Sequence, residues 1–143
     1  MKTIIIALLA LMSCGTVQAQ SMKMVVNSQG KLEGRYVRTN ATTYTVCVQD
    51  DYDVPKKGYR IVVYSAQKGQ GIVYRKHIRK GNINVRKEPS LTGAVIAKIP
   101  DTEDIPDTYP CLGKTNDWFK IRIKGKVGYV REDMVEWDGM STF

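Results

Sequence analysis

An all-β fold, a small barrel or sandwich, is what this sequence predicts, and three observations carry that prediction. No stretch beyond the N-terminal leader repeats apolar residues at i, i+3, i+4 and i+7 through three turns, so no amphipathic helix is expected. Short runs rich in β-branched and aromatic residues recur along the chain, separated by glycine, lysine and asparagine clusters. The 143 residues are 43% apolar and 25% charged, the balance of a folded chain rather than a disordered one. This length admits one domain or two very small ones.

Residues 1–19 stand apart from that fold. "MKTIIIALLALM" carries one basic residue, Lys2, and then an apolar run from Ile4 to Met12. The run is too short for a bilayer core of ~30 Å, which takes ~20 apolar residues to cross. Val17-Gln18-Ala19 supplies the small-x-small pattern of a cleavage site. Residues 1–19 therefore read as a signal peptide and the protein as exported, periplasmic or secreted, with no transmembrane helix in the mature chain. A second reading stays open. Leu11-Met12-Ser13-Cys14-Gly15 resembles the lipobox of bacterial lipoproteins, in which Cys14 would be lipidated and tether the protein to a membrane.

The formal charge is +8, and cleavage would remove one unit of it with Lys2. A basic balance can mark a nucleic-acid partner, but export argues against one. Anionic envelope polymers and surfaces are the partners within reach. The alternative is that scattered lysines, among them Lys31, Lys56, Lys57, Lys68 and Lys126, only solvate turns and edges.

Taken in order, the strands are expected at residues 23–26 before the turn "NSQG", then at 34–39, 43–49 and 59–65, the last closing on "AQKGQG". Residues 72–77 follow, then 82–86, 93–99 and 107–113. A hairpin pattern closes the series, 118–123 before "KGK" and 127–133 after it. Lys80-Gly81 reads as a seam, dividing residues 20–79 from residues 80–137 and a tail at 138–143. Cys47 and Cys111 lie within expected strands; they are either one disulfide, as an oxidising compartment allows, or small buried hydrophobes.

Order as well as type becomes informative from Asn82 onward. Asn84-Val85-Arg86 is followed by Glu88-Pro89-Ser90, then by Val95-Ile96 and Ile99. Tyr109 and Cys111 come next, then Gly113 to Asp117 ahead of Trp118. The run ends with Phe119-Lys120-Ile121-Arg122-Ile123 and Gly128-Tyr129-Val130. From Asn82 to Trp137, roughly two-fifths of the chain, this pattern resembles the bacterial SH3-like domain family. The resemblance implies a five- to six-stranded barrel with a ligand groove beside the loop after Arg86. Asp117 replaces the family's usual glycine before the tryptophan, and Pro106 interrupts a run the family usually keeps extended. Residues 22–78 faintly echo the second half, as a degenerate second barrel or a β-hairpin layer packed on the first.

Pro89 lacks an N–H and so ends the pairing of the strand before it. In the family, Arg86 and Glu88 would then stand at the base of the loop flanking the groove. They could equally form an ion pair that pins the turn, which if exposed would contribute only ~0–1 kcal/mol. By period-two alternation Phe119, Ile121 and Ile123 face the core, whereas Trp118 shares a face with Lys120 and Arg122. Trp118 is expected in the groove, joined by Asn116 of the hairpin and by Tyr129, although its ring could instead cover one end of the core.

Catalysis is not expected. Domains of this family often accompany cysteine peptidases, whose chemistry needs a histidine-activated cysteine. Here the one histidine, His77, and Cys47 fall in strands, with no helix N-terminus to lower a thiol pKa. One histidine and two cysteines in apolar positions form no zinc site, and no cofactor is called for. The expected role is a non-catalytic module that binds a cell-wall peptide or glycan, peptidoglycan first; the other reading is a structural adaptor for an envelope protein.

Overall fold

The computed structural model describes residues 20–77, 80–102 and 105–139; the leader with Cys14 and residues 140–143 of the tail lie outside the described residues. Alternating burial along short segments gives strands throughout. The first five are β1 (Ser21–Asn27), β2 (Leu32–Thr39), β3 (Thr43–Cys47), β4 (Asp51–Pro55) and β5 (Tyr59–Ser65). Then come β6 (Ile72–Arg75), β7 (Ile83–Arg86), β8 (Val95–Ile99), β9 (Tyr109–Thr115), β10 (Trp118–Ile123), β11 (Lys126–Arg131) and β12 (Val135–Asp138). One turn of 3-10 helix, Glu132–Met134, separates the last two, and the described residues contain no α-helix.

Two sheets result. The first runs β4-β3-β2-β1-β5: a meander whose last strand returns to lie antiparallel against β1, from Ser21 opposite Ser65 to Asn27 opposite Tyr59. The second runs β12-β6-β9-β10-β11-β7-β8. Its hydrogen bonding is open among the described residues, since β6 and β12 extend the free edge of β9 instead of a pairing closing it. The chain changes sheets between β5 and β6, so β6 belongs with the strands that follow Lys80-Gly81.

The main core lies where these sheets meet. Met22 and Met24 of β1 and Ala66 join Val73, Val85, Phe119, Ile121, Ile123, Val130 and Trp137, all 5% exposed or less. Period-two alternation in β10 delivers its three apolar residues to this core as expected, leaving Trp118, Lys120 and Arg122 outward. Gly128 lets β11 approach β7: a Cβ there would stand 2.6 Å from Val85 Cγ1 and 3.0 Å from the Arg86 carbonyl. On the other side of β1, Val25, Val46 and Val54 form a smaller cluster, roofed by Tyr36, Tyr44, Tyr59 and Ile61.

Cys111 corrects one expectation. It is a free, buried thiol, part of the main core, with its Sγ 3.7 Å from the Ala66 carbonyl and 3.6 Å from that of Gly113. The Cys47–Cys111 disulfide is not made: the Cys111 thiol is free and faces the Ala66 carbonyl instead. Burial raises the pKa of this thiol.

Buried charge also ties the molecule together. Arg35 of β2, 4% exposed, lies in the field of Asp138 of β12 and Tyr74 of β6. Burial lowers its pKa, and Asp138 and then Tyr74 oppose that effect. Arg75, 1% exposed, donates to the carbonyls of Pro100 (2.6 Å) and Gly81 (3.0 Å) and lies 3.4 Å from Asp101. It thereby fastens together the segments that enter and leave the β7–β8 hairpin, since Asp101 also accepts from the Gly81 N–H.

Candidate functional site

The groove begins with β7. Ile83 and Val85 are buried, so Asn84 and Arg86 face outward. The Arg86 guanidinium reaches across the following loop and donates to the Gly93 carbonyl at 2.8 Å. Backbone bonds from Lys87 to Ala94 and from Ser90 to Glu88, both 2.8 Å, tighten that loop. Ser90 Oγ and Thr92 Oγ1 lie 2.8 Å apart within it. Arg86 thus pins the loop through a carbonyl, with no acidic partner among the described residues. Glu88 is exposed on the turn, and the Arg86–Glu88 ion pair considered from sequence is not formed, the Gly93 carbonyl taking its place.

The opposite wall comes from the β9–β10 hairpin and the end of β11. Thr115 pairs with Trp118 across a two-residue turn in which Asn116 adopts a left-handed φ of 51°. Asparagine tolerates that conformation, which explains how Asp117 can stand where a glycine was expected. The Glu132 N–H donates to the Asp117 carbonyl at 2.8 Å, and Lys114 Nζ bonds the Asn116 carbonyl. Trp118 opens β10 half-buried, opposite Arg131 of β11. Arg131 in turn lies 3.0 Å from Asp133.

Between these walls runs a groove of about 100 Å³, lined by Asn82, Ile83, Asn84, Arg86, Leu91, Trp118, Arg131 and Met134. Of the residues expected from sequence, Arg86 and Trp118 meet here. Tyr129 lies next door, paired with Arg86 on one side and Lys120 on the other, but does not line the groove. Glu88 and Asn116 lie on flanking turns, outside its lining. Sequence reasoning did not name Asn82, Ile83, Asn84, Leu91, Arg131 or Met134 as site residues. A signal for Arg131 existed, since folding the "KGK" hairpin into register puts it opposite Trp118. Leu91, 62% exposed, and Met134 enter from a loop and a helical turn, where strand alternation gives no direction.

The lining brings an indole, two guanidinium groups and two asparagines to one groove, with Arg131 on the strand between those of Trp118 and Arg86. A second cavity, about 250 Å³, lies beside the loop after β8 and is lined by Arg75, Ile99, Pro100, Thr102, Ile105, Asp107 and Tyr109. Its Arg75 serves the loops described above. Burial, then the Asp107 charge, raises the Tyr109 pKa, with Arg75 opposing. No group of three or more metal-capable side chains occurs among the described residues. Among them no helix is long and apolar enough to cross a membrane.

No curated protein matches the chain. Two solved structures are similar to it at low identity, NlpC2 and NlpC1 from Trichomonas vaginalis. With NlpC2 the identity is 14% over 86% of this chain and 50% of that one, and the TM-score is 0.37. With NlpC1 it is 15% over 88% and 49%, again with a TM-score of 0.37. The chain thus spans about half the length of these structures. Residues 81–136 match the family model of the bacterial SH3 domain, the family that the run from Asn84-Val85-Arg86 to Gly128-Tyr129-Val130 resembles.

Proposed function

We propose that this chain is an exported, non-catalytic binding module whose bacterial SH3 domain holds short cell-wall peptides or glycans in the groove beside Trp118. The observation that carries the reading is the convergence of Arg86, Trp118 and Arg131 on one groove. The indole offers a flat apolar face to a sugar ring or a peptide backbone. The two guanidinium groups favour the carboxylates of a peptide stem, because charge-assisted hydrogen bonds to carboxylate are stronger than neutral ones. Both arginines are already held, Arg86 by Gly93 and Arg131 by Asp133, which reduces the side-chain ordering that binding would cost. In this reading the strands from β6 to β12 carry the groove, and the first sheet is the layer packed on them. The buried thiol of Cys111, its pKa raised, supports a role without nucleophilic chemistry.

Titration of the mature protein with muropeptides, followed by NMR, tests this. Chemical-shift changes clustered at Arg86, Trp118 and Arg131 are expected, and Trp118→Ala should abolish them. The absence of shifts there at millimolar ligand would overturn the reading. A second reading, an adaptor that takes an extended segment of an envelope protein by strand addition, is favoured by β8, an outer strand of the second sheet that carries exposed Val95. Shifts confined to β8 with envelope extract, and none with muropeptides, would select it.

A further inference from the structure

We propose that the outer face of the first sheet is a second binding surface, for a polysaccharide that carries carboxylates. The face is defined by register. Val25 lies opposite Gly34 on one side and Ile61 on the other; Tyr36 lies opposite Val46, and Tyr44 opposite Val54. Met22 and Met24 point to the other side, into the core shared with the second sheet. What covers Val25, Val46 and Val54 is a set of half-buried side chains from this sheet itself: Tyr36, Tyr44, Tyr59 and Ile61.

Two of those rings hold cations. Tyr36 and Tyr44 meet edge to face, with centroids 6.5 Å apart and planes at 72°. Lys23 Nζ stands 5.6 Å from the Tyr36 centroid, and Lys56 Nζ stands 5.9 Å from that of Tyr44. Neither ammonium forms an ion pair with a carboxylate among the described residues. Two acidic groups of the same sheet are otherwise engaged, Glu33 by the Tyr52 hydroxyl and Asp53 by Thr45 Oγ1 at 2.6 Å. A ring quadrupole positions an ammonium without neutralising it. The result is a pair of positive charges on an aromatic floor, neither in an ion pair among the described residues.

The chemistry of the floor selects the occupant. Tyrosine presents an apolar ring edge and a hydroxyl together, which suits the mixed C–H and O–H surface of a sugar. Carboxylates along the polymer would meet the ammonium groups by charge-assisted hydrogen bonds. An extended polymer suits a sheet face, over which it can make repeated weak contacts. Insertion into a lipid surface would need a continuous row of protruding apolar side chains, whereas Val63, 46% exposed, is the exposed aliphatic residue on this side of β5.

Polygalacturonate oligomers are the probe, with the methyl-esterified polymer as the same backbone without charge. Titrated into the mature protein and followed by NMR, polygalacturonate should shift Tyr36, Tyr44, Lys23 and Lys56, and the esterified form should not. In a Lys23→Gln, Lys56→Gln double variant the affinity should fall about tenfold, the loss expected from two exposed charge contacts. Raising the salt should weaken the parent's binding and leave the variant's residual binding nearly unchanged. Both exchanges are at the surface, and an unchanged melting temperature would show that the variant keeps its fold. Equal binding of both polymers, shifts confined to Arg86 and Trp118, or an unaltered affinity in the double variant would each overturn the proposal. So would tighter binding to phosphatidylglycerol vesicles or to a single-stranded oligonucleotide than to polygalacturonate.

Discussion

Two tryptophans show how single residues divide the labour. Trp137 is 4% exposed, and its Nε1 donates to the Gln70 carbonyl at 2.8 Å, as a buried indole must to avoid an unpaired donor. Trp118 stands half-buried at a groove that Arg86 and Arg131 also line. Alternation within "WFKIRI" was enough to read Trp118 outward, whereas nothing in the spacing of "VEWDG" distinguished a core strand from a tail. Tyr74 shows burial acting on chemistry. Desolvation first, then the charges of Glu136 and Asp138, push its pKa well above the ordinary value of about 10, with Arg35 opposing. Above that ordinary value the unfolded chain has lost the phenolic proton and the folded chain keeps it, so the unfolded state binds fewer protons and stability falls as pH rises. Below it, the contribution is fully present. Melting temperatures measured across the alkaline range should therefore decline, and Tyr74→Phe should make the decline shallower above about pH 10. Cys111, also raised, begins to contribute nearer the ordinary thiol value of about 8.5, so a decline beginning there should survive the Tyr74 exchange. A Tyr74→Phe profile that falls as steeply as the parent's above the phenol range would contradict this account.

At the scale of elements, turns decide what the groove looks like. The β10–β11 hairpin closes through Lys124 and Gly125, with φ of 51° and 74°, a two-residue turn whose twist matches the strands it joins. The β9–β10 hairpin places Asn116 at φ 51°. Both hairpins were legible from the sequence, because turn residues sit between alternating runs. Two strands were not. β4 is "DYDVP", a sheet-edge segment with a proline and two aspartates, residues that strand propensity disfavours. β12 is four residues long and gains its place from pairing with β6, far away in sequence. The Asn116 conformation makes a prediction that separates turn from site. Asn116→Val should destabilise by about 1–2 kcal/mol, the cost of left-handed backbone for a residue that cannot tolerate it. Asn116→Gly should be close to neutral, measured by urea unfolding. In both variants muropeptide affinity should match the parent's under conditions where the chain is folded, because Asn116 does not line the groove. A selective loss of binding in Asn116→Gly would place the residue in the site after all.

At the scale of the whole molecule, the boundary that the sequence shows and the boundary that the hydrogen bonds draw differ. Composition and motif order point to Lys80-Gly81, where the SH3 pattern starts. The second sheet, however, takes in β6 from upstream, and β6 is the neighbour that both β12 and β9 use: Val135 to Asp138 pair with Arg75 to Ile72, and Tyr109 and Pro110 with Val73 and Ile72. The reason is legible only in three dimensions, since "IVYRKH" resembles any other short strand until its partners are known. Without β6, β12 has no hydrogen-bonded neighbour, Trp137 loses the Gln70 carbonyl, and Arg75 no longer fastens the Gly81 and Pro100 loops. A unit of about 60 residues buries only a marginal core, so these losses should be decisive. A fragment of residues 80–143 should therefore melt well below one of residues 70–143, and show weak amide protection in β9 and β12. The longer fragment should in turn melt below the mature chain, because Met22 and Met24 of β1 complete the core it leaves exposed. Equal melting of the two fragments would mean that β6 is an appendage and that the SH3 segment closes on itself, and the open sheet order described above would then be the feature to discard.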